Sequence, residues 1–134
     1  MSTQIFVNLP VKDLDASKAF YEALGYSINE QFTDENASCV VVSDTIYVML
    51  LTEAFAARFT NKAVADATTT TEVINALSAE SREAVDRLAD VALRAGGSRV
   101  KEPQDEGFMY SRSFADPDGH QWEVLYMDPS GVED

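Results

Sequence analysis

Glu123 is the carboxylate best placed for chemistry, because it lies between Trp122 and Val124 in an apolar segment. Such a segment is typical of a partly buried strand, where a carboxylate can bind a cationic group or act as a base. Apolar surroundings disfavour the charged form and would suit Glu123 to proton transfer near neutral pH. The alternative is a structural glutamate paired with a donor such as Arg112. We predict Glu123 as the candidate catalytic residue. Trp122 is a candidate ligand contact, although a tryptophan of this kind is more often part of the core.

A second group of candidates lies on one predicted strand, where Tyr110 and Arg112 alternate with Phe108 and Phe114. If this face points into a binding cleft, Arg112 can hold a carboxylate or phosphate through two hydrogen bonds and Tyr110 can close over the ligand. If it points outward, both side chains only cover the surface. We predict the first orientation. Asn8, near the end of the first strand, is a further ligand-binding candidate, with a turn-stabilising amide as the alternative.

The sequence does not supply a nucleophile with an adjacent base. His120 is the single histidine and follows the turn Asp116–Gly119, where we expect a structural role. Cys39 is the single cysteine and lies in the apolar run Cys39–Val42, so we expect a small buried hydrophobic residue. One cysteine cannot form an internal disulfide, and no zinc-site spacing is present. A cytoplasmic location is therefore expected.

The formal net charge of −13 restricts the classes of partner. Nucleic-acid binding draws its affinity from basic side chains that neutralise phosphates, so a nucleic-acid role is not expected. An anionic membrane is disfavoured for the same reason, and the sequence offers no apolar run that could span a bilayer. The charge favours cationic or neutral small molecules.

The elements that must position these residues follow one order in the first half of the chain. Alternation predicts a strand, and helical spacing with Asp13 as N-cap and Gly25 as the end predicts a helix. A further strand and a hairpin with a Ser43–Asp44 turn come next, and Thr52 is predicted to cap a short helix. The predicted strands are Ile5–Val11, Tyr26–Phe32, Ser38–Val42 and Thr45–Leu51.

The second half repeats this order after a polar connector, which we predict to be a hinge. An amphipathic helix over Ser81–Ala95, with Val85, Leu88, Ala89 and Ala92 on one stripe, ends at Gly96-Gly97. The predicted strands of this half are Glu72–Ser78, Arg99–Pro103, Phe108–Phe114 and His120–Met127.

These patterns predict an α+β fold with two βαβββ modules in tandem, forming a curved mixed sheet around a shared cleft. Module 1 is expected over about residues 1–59, the connector over about 60–71 and module 2 over about 72–128, all within a single domain of 134 residues. The cleft is where we expect a ligand.

Nearly the whole chain resembles the vicinal oxygen chelate superfamily, which includes glyoxalase I, bleomycin resistance proteins and extradiol dioxygenases. It is most similar to a bacterial group described as predicted lactoylglutathione lyases. The segments that carry the resemblance are Asn8–Leu14, Ser17, Phe20–Tyr21, Leu24–Gly25, Ser43–Leu51, Gly107–Tyr110 and Phe114–Glu123.

The resemblance also implies where a divalent metal ion would be bound, since glyoxalase-like members hold it with four side chains. In this sequence those positions fall on Phe6, on or beside Leu50, on Ile74 and on Glu123. A single carboxylate cannot fix a catalytic metal, so no metal ligand is assigned. A shift of two residues along the strand would pair Glu72 with Glu123 as cleft carboxylates, and Glu72 is therefore a ligand-binding candidate.

Two functions follow. The first is a metal-independent small-molecule-binding protein of the glyoxalase/bleomycin-resistance type, which holds its ligand in the cleft between the modules and requires no cofactor. The second is a metal-dependent lyase or dioxygenase with a non-standard metal site. The resemblance also implies a homodimer.

Overall fold

The computed structural model describes residues 2–131. Contacts divide the chain into two compact units, with the boundary between Asp66 and Ala67. Each unit contains its own mixed sheet and one main helix, so the α+β class and the repeated module are confirmed. No helix in the described part of the chain combines the length and the apolar character needed to cross a membrane.

The first unit has the strand order β1-β4-β3-β2, in which β1 is parallel to β4 and the other pairs are antiparallel. Its elements are β1 (Ile5–Val11), α1 (Leu14–Ala23), β2 (Ser27–Asn29), β3 (Ala37–Val41), β4 (Ile46–Thr52) and α2 (Glu53–Ala56).

The predicted caps of the first unit are confirmed. Asp13 accepts a hydrogen bond from the Ala16 amide at 3.1 Å, and Thr52 accepts one from the Phe55 amide at 3.2 Å. Gly25 has a φ of +105°, as a left-handed residue after a helix requires. The strand predicted over Tyr26–Phe32 is shorter than expected, because Glu30–Phe32 form a 3₁₀ turn.

The second unit repeats this topology with the strand order β5-β9-β8-β6, and β7 also pairs with β8. Strand β5 is parallel to β9, as β1 is to β4. The elements are β5 (Asn75–Ser78), α3 (Arg82–Arg94), β6 (Ser98–Arg99), β7 (Gln104–Asp105), β8 (Met109–Ala115) and β9 (Gln121–Met127).

Two strands of the second unit differ from their predictions. The strand predicted over Glu72–Ser78 begins only at Asn75, so Glu72 and Ile74 lie outside it. The strand predicted over Arg99–Pro103 is replaced by two separate pairs of residues, β6 and β7. Pro103 lacks an amide donor and cannot continue a sheet ladder, which accounts for the interruption.

Helix α3 packs on one face of the second sheet and fixes which side chains are enclosed. Val85 and Ala89 of α3 form a buried cluster with Val124 of β9, and Tyr110 and Tyr126 pack against it. Ser81 caps the helix by accepting a hydrogen bond from the Ala84 amide at 3.0 Å. Side chains that alternate with these along β8 and β9 point to the opposite face of the sheet.

Candidate functional site

Glu123 lies in the middle of β9, on the face of the second sheet opposite α3. Its neighbour Val124 points toward the helix, and successive residues of a strand alternate between faces. Across the ladders, Glu123 is paired with Ser113 of β8 and with Ala76 of β5. The carboxylate is half-buried and has small neighbours on both sides.

Within residues 2–131, no hydrogen bond or ion pair joins the Glu123 carboxylate to another side chain. The pairing with Arg112 that we considered for it is wrong, because Arg112 lies on the opposite face of the sheet. A half-buried carboxylate without an internal partner retains its full capacity to accept hydrogen bonds from a ligand.

The predicted orientation of Tyr110 and Arg112 is wrong, because both side chains point toward α3. The Tyr110 hydroxyl donates to Asp86 Oδ1 at 2.6 Å, and Arg112 Nη1 donates to Asp86 Oδ1 at 3.1 Å and to Asp90 Oδ1 at 2.8 Å. Alternation had correctly placed Tyr110 and Arg112 on one face together, but that face packs against the helix.

These bonds change the acidity of the groups that make them. The hydrogen bond to Asp86 raises the pKa of Tyr110, and burial acts in the same direction. Burial of the Arg112 guanidinium lowers its pKa, but the hydrogen bonds to Asp90 and Asp86 outweigh burial and the net shift is upward. Arg112 therefore stays charged and bound to α3, where it serves the packing of the helix.

A further ion pair in this unit was not anticipated from the sequence. The Arg82 guanidinium donates to both carboxylate oxygens of Asp105, at 2.8 and 3.0 Å, and to the Gly107 carbonyl at 2.9 Å. The same guanidinium lies 5.1 Å from the centre of the Tyr110 ring. We call this group the Arg82 clamp. Arg82 and Asp105 are separated by 23 positions in the sequence, so no local pattern could have revealed their contact.

Two further ligand-binding candidates, Trp122 of β9 and Asn8 of β1, differ in accessibility. Trp122 is only 3% exposed and pairs with Phe114 on the helix side of the sheet, so the core alternative is confirmed for it. Asn8 is exposed in the first unit and donates from Nδ2 to the Phe6 carbonyl at 3.1 Å. Its role as a ligand contact stays a prediction.

The proposed pairing of Glu72 with Glu123 depended on a strand that does not extend far enough. Glu72 is exposed in a bend three residues before β5, and the residue opposite Glu123 on β5 is Ala76. The strand register that would have aligned the two carboxylates is therefore wrong.

The positions that a family metal ion would need do not fit one. Phe6 stacks on Tyr47 with ring centres 4.8 Å apart, Leu50 is fully buried, and Ile74 is an exposed apolar side chain. Among the residues that the structure describes, no group of three or more histidine, cysteine, aspartate or glutamate side chains could hold a metal ion. Glu123 alone of the four positions has a donor atom.

His120 and Cys39, the other two residues considered for chemistry, lie in a turn and in the core. The His120 amide donates to Asp116 Oδ1 at 2.9 Å and closes the turn before β9. Cys39 is 2% exposed, which confirms the prediction of a buried small residue. Burial raises the pKa of its thiol and so disfavours the thiolate that a nucleophile would require.

A family model described as bleomycin resistance protein-like N-terminal matches residues 3–43. No curated protein matches the sequence significantly. The structure of the hypothetical protein SA1046 from S. aureus is 30% identical, with a TM-score of 0.78 over 94% of this chain and 95% of that one.

Two further solved structures share the fold at lower identity. A glyoxalase/bleomycin resistance protein/dioxygenase family enzyme from Burkholderia phytofirmans is 20% identical, with a TM-score of 0.76 over 94% of this chain and 99% of that one. A bleomycin resistance determinant encoded on transposon Tn5 is 18% identical, with a TM-score of 0.66 over 95% and 99% of the two chains. Residues 3–43 of this chain therefore match the bleomycin resistance protein-like family model, and the whole chain has the fold of the glyoxalase/bleomycin resistance protein/dioxygenase structures.

Proposed function

We propose that this protein binds a small cationic molecule without a metal ion, in the manner of the bleomycin-resistance branch of its family. The observation that carries the proposal is the half-buried carboxylate of Glu123, which faces away from α3 and has no internal partner in the described part of the chain. An ionised carboxylate in such a place gains most from a positively charged hydrogen-bond donor.

The charge of the whole chain supports a cationic ligand. A net charge of −13 attracts cations at long range and repels anions, and this raises the encounter rate with a cationic ligand at low ionic strength. Arg112 does not reverse the sign beside Glu123, because its guanidinium is bound to Asp86 and Asp90.

The donor set supports binding without a metal ion. Phe6, Leu50 and Ile74 supply no oxygen, nitrogen or sulfur ligand, and one carboxylate does not hold a divalent ion in a defined geometry. We also propose a cytoplasmic location, because the single buried cysteine forms no internal disulfide. The resemblance to the family leads us to propose a homodimer.

The experiment is a calorimetric titration of the untagged protein with metal-free bleomycin, a cationic probe chosen from the name of the related family. We expect Glu123→Gln to weaken binding by about tenfold or more, because a charge-assisted hydrogen bond is lost. Glu22→Gln, an exposed change at the end of α1, is the matched control and should bind as the wild type does.

Three results would contradict parts of this proposal. Equal affinity of wild type and Glu123→Gln would remove Glu123 from the site. Stoichiometric nickel, zinc, iron or manganese in the purified protein would support the metal-dependent alternative. A protein that neither binds bleomycin nor retains any small molecule in native mass spectrometry would contradict the binding function itself.

A further inference from the structure

A small recess opens beside Glu123 on the face of the second sheet opposite α3. Its walls include Ser111 and Ser113 of β8 and Gln104 of β7. The register brings these residues together, because Ser113 pairs with Glu123 and Gln104 pairs with Ser111. The recess has a volume of about 10 Å³, which is enough for one group of the size of a water molecule.

The Ser111 hydroxyl is the unusual feature of this recess. Ser111 is only 5% exposed, and its hydroxyl makes no hydrogen bond to any residue in 2–131. No fully buried side-chain oxygen or nitrogen in that range lacks a partner, so this hydroxyl reaches accessible space. The accessible space that Ser111 lines is the recess. A buried hydroxyl is costly to leave without a partner, and one directed into a water-sized space is therefore suited to a ligand.

Two cationic residues, Lys101 and Arg112, contribute to the lining of the recess, and the Arg112 guanidinium is bound to Asp86 and Asp90. Lys101 lines the outer side, and its backbone amide donates to Ser113 Oγ at 3.2 Å. Its ammonium makes no ion pair with Glu123 among the described residues. The recess therefore combines the Glu123 carboxylate, which has no ion-pair partner among the described residues, with groups that can accept hydrogen bonds, namely the serine hydroxyls and the Gln104 amide oxygen.

We propose that this recess is a subsite for a primary ammonium group of the ligand. A primary ammonium has three N–H donors, a single positive charge and the size of a water molecule, and it matches a carboxylate surrounded by hydroxyl and amide oxygens. A quaternary ammonium carries the same charge, but it has no N–H donor and is too large to enter. The inference rests on the proposed function, because it names the part of the ligand that Glu123 and Ser111 bind.

The test compares hexylammonium with hexyltrimethylammonium, two probes of equal charge and chain length. Each is titrated into ¹⁵N-labelled wild-type protein at low ionic strength while the amide resonances of Ser111, Ser113 and Glu123 are followed. We expect hexylammonium to shift these resonances with a dissociation constant at least about tenfold lower than that of hexyltrimethylammonium. This comparison needs no variant and is independent of any effect of substitution on folding.

Two variants then assign the preference to individual groups. Ser111→Ala should weaken hexylammonium binding several-fold and leave hexyltrimethylammonium binding unchanged, whereas Glu123→Gln should weaken both. The Glu22→Gln control should retain the wild-type preference. Equal binding of the two probes, or hexylammonium shifts that avoid Ser111 and Glu123, would overturn the subsite. Bleomycin binding that still depends on Glu123 would show that the proposed function survives that result.

Discussion

Arg112 illustrates how a single side chain can serve packing although its type suggests ligand binding. Its side chain is 16% exposed, and it connects strand β8 to two carboxylates on successive turns of α3. The Tyr110 hydroxyl shares one of those carboxylates. The Nη1 nitrogen of this guanidinium is thus directed at the helix.

Arg112→Met should lower the free energy of unfolding by about 1–2 kcal/mol, because Asp86 and Asp90 lose their charged donor while remaining half-exposed to water. Urea denaturation measures the change. Arg87→Met, at an exposed position of the same helix, should stay within about 0.5 kcal/mol of the wild type. Equal effects of the two substitutions would show that the bonds to α3 contribute nothing specific.

Gly119 is a second position where one residue controls local structure. Its φ of +90° is rarely adopted by residues with a side chain, and an added Cβ would lie 2.8 Å from the backbone of Ala67 and Thr68. Gly25 has a similar φ of +105°, but no atom lies within 4 Å of the place of its Cβ.

Gly119→Ala should therefore destabilise the protein more than Gly25→Ala, by at least about 1 kcal/mol, because only the former adds a clash with backbone to the conformational strain. Thermal unfolding of both variants against the wild type gives the comparison. Equal melting temperatures for the two alanine variants would show that the close approach at Gly119 does not affect stability.

The sequence predicted which residues share a face but not which face receives the helix. The alternation of Tyr110 and Arg112 with Phe114 is visible in the sequence and is confirmed. Which face of the sheet α3 covers depends on how the helix packs. The alternation along one strand does not distinguish the two opposite faces. For the same reason the position of Ser111 beside Glu123 could not be foreseen.

At the scale of elements, the pKa of Asp105 reports the contact between β7 and Arg82 of α3. The hydrogen bonds from Arg82, together with the one from the Gly107 amide, lower the pKa of Asp105 to about 2. A pKa lowered by folding stabilises the folded state above the usual pKa of 3.8, and that contribution is lost as the pH falls toward about 2.

The Arg82 clamp should accordingly open as the pH falls toward about 2, where Asp105 becomes protonated in the folded protein. An NMR titration of the Asp105 carboxyl carbon is expected to show its midpoint near 2 in the wild type and a midpoint closer to 3.8 in Arg82→Gln. An unshifted midpoint in Arg82→Gln would mean that the guanidinium does not set the acidity of Asp105.

Helices and hairpins were easier to predict than the strands near residues 72 and 100. The caps at Asp13 and Thr52 are local signals, and each is confirmed by a hydrogen bond that the side chain accepts from the amide three residues further along. By contrast, β6 and β7 have two residues each and exist only because β8 pairs with them. Pairing between distant segments leaves little trace in local sequence.

At the scale of the whole molecule, we expect two copies of the chain to associate. The family leads to this expectation, and large apolar side chains exposed in the isolated chain, among them Phe6, Phe32 and Phe59, are consistent with it. Sedimentation velocity over a range of concentrations should give a species of twice 14.7 kDa. A monomer at every concentration would contradict the expectation.

The Arg82 clamp has a consequence for local opening. Arg82 is the first residue of α3, directly after the Ser81 cap, and it holds Asp105 and Gly107 at the far side of a long connection. We therefore expect fraying of the first helical turn to release β7 as well, so that the two segments open together. Amide hydrogen exchange at Ala84 and Gly107 should then proceed at matched rates. The first turn of α3 would in this way control access to the side of the recess that Gln104 forms.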